Sequence, residues 1–71
     1  MIKYAVIIEQ GDSGFGAYVP DLPGCIATGR TRSEVERRIR EAIQFHLDGL
    51  RDAGLPIPAP TSTAEYVEAA V

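Results

Sequence analysis

Apolar and polar positions alternate at the start of the chain with the period of two that is typical of β-strands. In residues 2–9 one face is wholly apolar and the other is mixed. Residues 10–14 are a polar turn cluster with two glycines, and residues 15–19 resume the alternation. Residues 25–28 are a third apolar run, short enough to be a strand. The pattern predicts three antiparallel strands joined by turns.

From residue 31 to residue 53 the apolar spacing changes to three and four, which indicates an amphipathic helix. Thr31 is the predicted N-cap, and Glu34, three residues later, completes a capping box. Gly54 is the expected residue just past the helix end. The predicted core stripe consists of Val35, Ile39, Ala42, Ile43, His46 and Leu50.

Residues 56–60 alternate proline with other residues, which excludes helix and favours an extended path back across the sheet. Residues 64–70 then alternate again, which predicts a fourth strand. The predicted fold is therefore α+β, with one long helix on one face of an antiparallel sheet in the order β-β-β-α-β. We expect residues 1–71 to form a single domain, whose other sheet face is partly apolar and available to a partner.

The connection between the second and third strands carries the most distinctive local chemistry. Pro20 and Pro23 fix φ and have no backbone N–H, so a regular ladder cannot pass through them. Gly24 and Gly29 are expected to supply the positive φ angles where the chain reverses. This segment joins the sheet to the helix that covers it.

Size and charge limit the possible functions. The 71 residues allow one small core, which self-association as a dimer or tetramer would support. Seven Lys and Arg against ten Asp and Glu give a net charge of −3, which argues against direct nucleic-acid binding. The single cysteine excludes an internal disulfide. No export signal and no apolar run of membrane length are visible, so we expect a cytoplasmic protein.

No catalytic set is evident in the sequence. Cys25 and His46 are candidates for a nucleophile and its base, but both fall on predicted inward faces and are interpreted as core residues. Glu9, Asp12 and Asp21 are candidate Mg²⁺ ligands, although the two aspartates are ordinary turn residues. We therefore expect no metal, no cofactor and no enzymatic activity.

The segment Tyr18–Cys25, which reads Y-V-P-D-L-P-G-C, is followed by T-G-R-T at Thr28–Thr31. Together with Glu41–Leu50 at the helix end and the proline run Leu55–Pro60, it resembles the HicB-like antitoxin family. The resemblance implies a degenerate ribonuclease H-like fold without nuclease activity. It also implies binding and silencing of HicA, a small basic toxin that cleaves mRNA, and it implies oligomerisation.

Four residues near these turns are the predicted partner contacts: Tyr18, Asp21, Leu22 and Arg30. Many members of the family carry a C-terminal operator-binding domain, whereas this sequence ends at Val71, so we expect no operator binding by this chain alone. Two alternatives remain at this stage: an oligomeric scaffold without a toxin, and a residual metal-dependent nuclease.

Overall fold

A computed structural model describes all 71 residues and shows a three-stranded antiparallel sheet covered on one face by a long helix. The strands are β1, Ile7–Gln10, β2, Phe15–Tyr18, and β3, Ile26–Gly29. The helix α1 spans Arg32–Asp52. The sheet order is β1-β2-β3, with β2 in the centre. The predicted α+β class and the first four predicted elements are confirmed.

The strand β1 is shorter than the predicted span of residues 2–9. Its pairing with β2 begins where Ile7 lies opposite Tyr18. In the same register the next hydrogen-bonded pair would join Ala5 to Pro20, which has no N–H to donate. Tyr4 and Val6 still pack against the core, although they have no strand partner, while Ile2 is exposed.

The predicted fourth strand at residues 64–70 is wrong. The structure has no regular element after α1, and these residues are exposed and make no backbone hydrogen bond. A strand is stable only beside another strand, and alternation in the sequence does not supply one. The preceding proline segment does reach the sheet, since the Tyr4 hydroxyl donates a 2.6 Å hydrogen bond to the Pro58 carbonyl.

The start of α1 is capped much as the sequence predicts. The Thr31 side-chain oxygen accepts from the Glu34 N–H at 3.1 Å. The Glu34 carboxylate accepts from the Arg30 N–H at 2.8 Å. It therefore bonds the residue before the N-cap and not the N-cap itself, as it would in a standard capping box. This pair of contacts satisfies one backbone donor inside the helix and one just before it.

The end of α1 is a Schellman motif. Gly54, at φ 70°, donates its N–H to the Arg51 carbonyl, and Leu55 donates to the Leu50 carbonyl. Both bonds use carbonyls that have no partner inside the helix. The predicted role of Gly54 is confirmed.

The core lies between the sheet and the first half of α1. From the helix it takes Val35 and Ile39, whereas His46 and the other stripe residues in the second half are only half-buried. His46 makes no hydrogen bond, so the predicted core-histidine contact is not found, and no buried polar side-chain atom lacks a partner. The six buried side chains are Ala17, Val19, Leu22, Cys25, Val35 and Ile39.

Gly29 differs from its predicted role as a residue with positive φ. The glycines at positive φ are Gly14, Gly24 and Gly54. Gly29 is the last residue of β3, and a Cβ there would lie 2.8 Å from the Val35 backbone nitrogen. Glycine is therefore required by the close approach of helix and strand.

Candidate partner-binding surface

The sheet face opposite α1 carries a row of apolar side chains, one from each strand. Ile7 lies opposite Tyr18, and Tyr18 lies opposite Ile26. The Tyr18 side chain is 42% exposed and Ile26 is 68% exposed, while Ile7 is half-buried. Such a row costs free energy when it stays in water. We call these three residues the open-face row.

A second row on the same face consists of polar or small residues. It consists of Glu9, Gly16 and Thr28, again one from each strand. A Cβ at Gly16 would have no neighbour within 4 Å, so the middle of this row is open space. The open face therefore combines an apolar row with a shallow row that carries one carboxylate.

Two consecutive β-turns connect β2 to β3 beside the open-face row. The Leu22 N–H donates to the Val19 carbonyl at 3.0 Å, and the Cys25 N–H donates to the Leu22 carbonyl at 3.0 Å. The first turn has Pro20 at its second position and the second turn has Pro23 there, where the fixed φ of proline fits. Gly24, at φ 85°, takes the third position of a type II turn.

Leu22, at the junction of the two turns, is completely buried. The turns direct this side chain into the core, where it belongs to the same buried cluster as Val35 and Ile39 of α1. A side chain with no exposed surface cannot contact a partner in this conformation. We therefore remove Leu22 from the predicted contact set and assign it to the core.

Asp21 is held by the segment that follows the prolines. Its carboxylate accepts from the N–H and hydroxyl of Thr61 at 2.9 and 3.1 Å, and from those of Ser62 at 2.9 and 2.8 Å. These bonds, the backbone bond from Ser62 above all, lower the pKa of the Asp21 carboxyl because they favour its charged form. We call this contact the Asp21 staple.

Arg30 lies at the opposite end of β3 from Ile26, about 13 Å away along an extended strand. It borders an open polar depression of about 1030 Å³ beside the β1–β2 turn. Arg38 closes part of that end by donating to the Thr28 carbonyl at 3.0 Å. The bond from the Arg30 N–H and, after it, the charge of Arg38 lower the pKa of Glu34.

The four predicted contact residues therefore do not form one patch. Tyr18 lies on the open face, Asp21 faces residues 61–62, Leu22 is buried, and Arg30 lies at the far end of β3. Ile26 is an exposed residue of this face that was not among the predicted contacts, and its position beside Tyr18 follows from the register that pairs the two. The alternation within residues 25–28, which puts Cys25 on the inner face, could have placed Ile26 on the outer one.

The candidate catalytic residues do not converge. No group of three His, Cys, Asp or Glu side chains is arranged to hold a metal ion. Cys25 is buried, as the sequence predicts, and this burial raises the pKa of its thiol and keeps it from acting as a ready nucleophile. No helix of the chain has both the length and the apolar character needed to span a membrane.

Comparison with known proteins gives concordant results. Residues 4–70 match the family model described as HicB_like antitoxin of bacterial toxin-antitoxin system. Among curated relatives, an uncharacterised 14.9 kDa protein of Haemophilus phage HP1 is 34% identical over 64 residues, covering 90% of this chain and 48% of that protein. The UPF0150 protein Ta0767 of Thermoplasma acidophilum is 38% identical, with 80% of this chain and 84% of that protein covered.

Solved structures with the same fold belong to the HicB3 antitoxin system. A chain of the HicA3 and HicB3 toxin-antitoxin complex superposes with a TM-score of 0.72 at 32% identity, over 84% of this chain and 70% of that one. The crystal structure of antitoxin HicB3 gives a TM-score of 0.69 at 32% identity, over 84% and 44%. This chain thus spans about half the length of the phage relative and of the HicB3 antitoxin chain. On the family match over residues 4–70 and the shared fold, the chain belongs to the HicB-like antitoxin family.

Proposed function

We propose that this chain binds and neutralises a small basic toxin of the HicA type, which cleaves mRNA, and that it acts by binding rather than by catalysis. Family membership supports the antitoxin role, and the superposition on a chain of a HicA3 and HicB3 complex supports the class of partner. The net charge of −3 suits a basic partner, because opposite charges raise the association rate.

The open-face row is the surface that we propose for contact with the toxin. Ile7, Tyr18 and Ile26 form an apolar strip across the sheet on the side that α1 leaves uncovered. Aromatic and aliphatic side chains at the centre of a contact supply most of its binding free energy. Tyr18 is therefore the main proposed contact, flanked by Ile26, with Glu9 as the nearby acidic residue.

Two of the other predicted residues take lesser parts in this proposal. Asp21 holds the C-terminal segment through the Asp21 staple, so its effect on toxin binding is indirect. Arg30 is exposed at the other end of the sheet and would contact only a partner that covers both ends.

A binding measurement with matched variants tests the proposal. The probe is the product of the reading frame adjacent to the gene for this chain, which the proposal predicts to be a small basic HicA-type protein. The assays are isothermal titration calorimetry and RNA cleavage with and without the antitoxin. Ile26→Asp and Phe45→Asp each place one carboxylate at an exposed apolar position, 68% and 82% exposed respectively, the first on β3 and the second on α1. We expect Ile26→Asp to weaken binding at least tenfold and Phe45→Asp to leave it unchanged.

Two results would count against the proposal. Absence of a complex at micromolar concentrations, with RNA cleavage unaffected, would argue against toxin neutralisation. Equal loss of binding in both variants would leave neutralisation standing and reject the open-face row as the contact.

A further inference from the structure

Residues 63–71 expose large apolar side chains to water, and we call them the distal segment. Every one of these residues is exposed, with Tyr66 99% and Val67 82% accessible. The segment makes no hydrogen bond beyond Ser62. A tyrosine ring that lies fully in water adds nothing to the stability of its own chain, so these side chains have no packing partner within the molecule.

The distal segment starts from a fixed point near the open-face row. The Asp21 staple binds residues 61 and 62 to the turn that directly follows β2. Asp21 is three residues past Tyr18, so their Cα atoms lie at most about 11 Å apart. Tyr66 is four residues past Ser62 and stays within about 14 Å of it, whichever direction the segment takes.

The open-face row alone is small for a stable contact. A specific interface buries about 800 Å² on each partner. The exposed parts of Tyr18 and Ile26 together supply on the order of 200 Å², since a whole aromatic side chain offers about 150–250 Å². Tyr66 and Val67 are more exposed and supply a larger area. An interface of the standard area is about 30 Å wide, so one centred on Tyr18 extends as far as Asp21.

The charge of the distal segment suits a basic partner. Glu65 and Glu68 flank the two exposed apolar residues, and the segment contains no Lys or Arg. Neither carboxylate forms an ion pair within the chain, and neither does Glu9 on the open face. The open-face row and the distal segment therefore have the same character, with exposed apolar side chains beside unpaired acidic groups.

We propose that the distal segment is a second contact for the basic toxin, and that the Asp21 staple holds it near the open-face row so that one toxin molecule binds both. This inference rests on the proposed function. Two linked contacts bind more tightly than either one alone, because the second is made at a high effective concentration. Tyr66 is the main contact of the segment, and Asp21 is a positioning residue that acts through it.

Isothermal titration calorimetry with the product of the adjacent reading frame measures what the segment contributes. Tyr66→Ala should raise the dissociation constant at least tenfold. Phe45→Ala is the matched control, at an aromatic residue that is 82% exposed on α1, and should change the constant less than twofold. Because the Tyr66 side chain is fully exposed, its removal should leave the circular dichroism spectrum and the urea midpoint of the free chain unchanged.

A double-mutant cycle distinguishes positioning from direct contact. Asp21→Asn should raise the dissociation constant threefold or more in the wild-type background, and less than 1.5-fold in the Tyr66→Ala background. Asp12→Asn removes the same charge from an exposed aspartate that accepts no hydrogen bond, and should leave the constant unchanged in both backgrounds. A purely structural role of Asp21 would give the same loss with and without the Tyr66 ring.

Hydrogen exchange identifies which molecule covers the distal segment. In the free chain the amides of residues 63–68 should exchange rapidly at every protein concentration, since they form no hydrogen bond. Addition of the toxin should slow their exchange together with that of the Tyr18 and Ile26 amides. Slow exchange in the toxin-free chain would mean that its own body or a second copy covers the segment, and this result would overturn the inference.

Two further outcomes count against it. An unchanged dissociation constant for Tyr66→Ala would overturn the contact, and additive effects in the cycle would overturn the positioning role of Asp21. Each of these leaves toxin neutralisation standing as long as Ile26→Asp weakens binding. Absence of any complex with the wild-type chain would instead reject both proposals.

Discussion

Residues 17–39 and residues 55–71 are fastened to the molecule by different forces. The first stretch contains all six buried side chains, and the second contains none. The second is attached instead by hydrogen bonds, from Tyr4 to Pro58 and from Thr61 and Ser62 to Asp21. Apolar burial holds a segment all along its length, whereas a few exposed hydrogen bonds hold it only at single points. The comparison predicts which substitutions unfold the protein and which merely release a segment.

The largest expected effect comes from truncating the core. Ile39→Ala removes three heavy atoms from a side chain that is 3% exposed, and should cost about 2–5 kcal/mol of unfolding free energy. A core of this size supplies a total stability of only about 3–5 kcal/mol, so the variant should be largely unfolded.

Val67→Ala is the matched change in the other region and should alter stability by less than about 0.5 kcal/mol, because that side chain is 82% exposed. Urea unfolding followed by circular dichroism, at a concentration where the chain is monomeric, compares the two. Equal midpoints for Ile39→Ala and wild type would reject the assignment of the core.

The next effect tests how closely α1 approaches the sheet. A Cβ added at Gly29 would lie 2.8 Å from the Val35 nitrogen and 3.1 Å from the Val35 Cα. Gly29→Ala should therefore cost about 1–3 kcal/mol, because backbone atoms must move apart. Gly16→Ala, in the neighbouring strand with no atom within 4 Å of the new Cβ, should be neutral or slightly stabilising. Comparable losses in both variants in urea unfolding would contradict the close approach.

The caps and turn glycines show which features can be predicted from sequence and which cannot. The roles of Thr31 and Gly54 are predicted correctly, because a cap is determined by residues within one helical turn. Gly24 is predicted correctly for the same reason, since a turn is local. The role of Gly29 is predicted wrongly, because glycine is needed there for close contact with the helix, and local sequence does not encode that contact.

The same distinction explains the C-terminal region. Asp21 and Ser62 are 41 positions apart, so their pairing leaves no local signal. The alternation of residues 64–70 is typical of a strand, but a strand forms only if a free edge is within reach. On the candidate surface, alternation correctly predicts Tyr18 on the open face. Leu22 lies in a turn segment, where an exposed side chain would be expected, and its burial follows from the geometry of the two turns.

A third prediction concerns the helix start within the densely packed region. Thr31→Ala removes the oxygen that accepts from the Glu34 N–H, and should cost about 1 kcal/mol. Ser33→Ala removes a nearby exposed hydroxyl that accepts no backbone N–H, and should cost clearly less. Both are measured by urea unfolding. Indistinguishable values would mean that the Thr31 cap contributes nothing to stability.

A fourth prediction concerns the second half of α1, where no side chain is fully buried. Gly49 lies inside the helix, is exposed, and has open space around a new Cβ. Gly49→Ala should raise the unfolding free energy by about 0.5–1 kcal/mol, because alanine has the higher helix propensity. Thermal unfolding should show a higher midpoint. A decrease would indicate a contact on this side of the helix that the monomer does not show.

The smallest effect on global stability, and the sharpest test of the comparison, is expected at the Asp21 staple. The pKa of Asp21 is lowered in the folded chain, so its hydrogen bonds stabilise the attached segment above the ordinary pKa of an aspartate and are lost as pH falls through the folded pKa. Glu34 also has a lowered pKa, so its contribution is lost in the same direction, but at the helix start. The titrations of Asp21 and Glu34 can therefore be distinguished by which amide signals change, those of residues 61–62 or those at the helix start.

During an acid titration the Thr61 and Ser62 amide resonances should shift together with the Asp21 carboxyl, and their hydrogen exchange should accelerate while the core amides stay protected. Asp21→Asn, which replaces one acceptor oxygen by a donor, should remove that titration and speed exchange at both amides at neutral pH. Asp12→Asn, at an exposed aspartate that accepts no hydrogen bond, is the control. If Asp21→Asn instead lowered protection throughout α1, the segment beyond residue 55 would be part of the cooperative fold. The contrast between a region held by burial and a region held by single contacts would then fail.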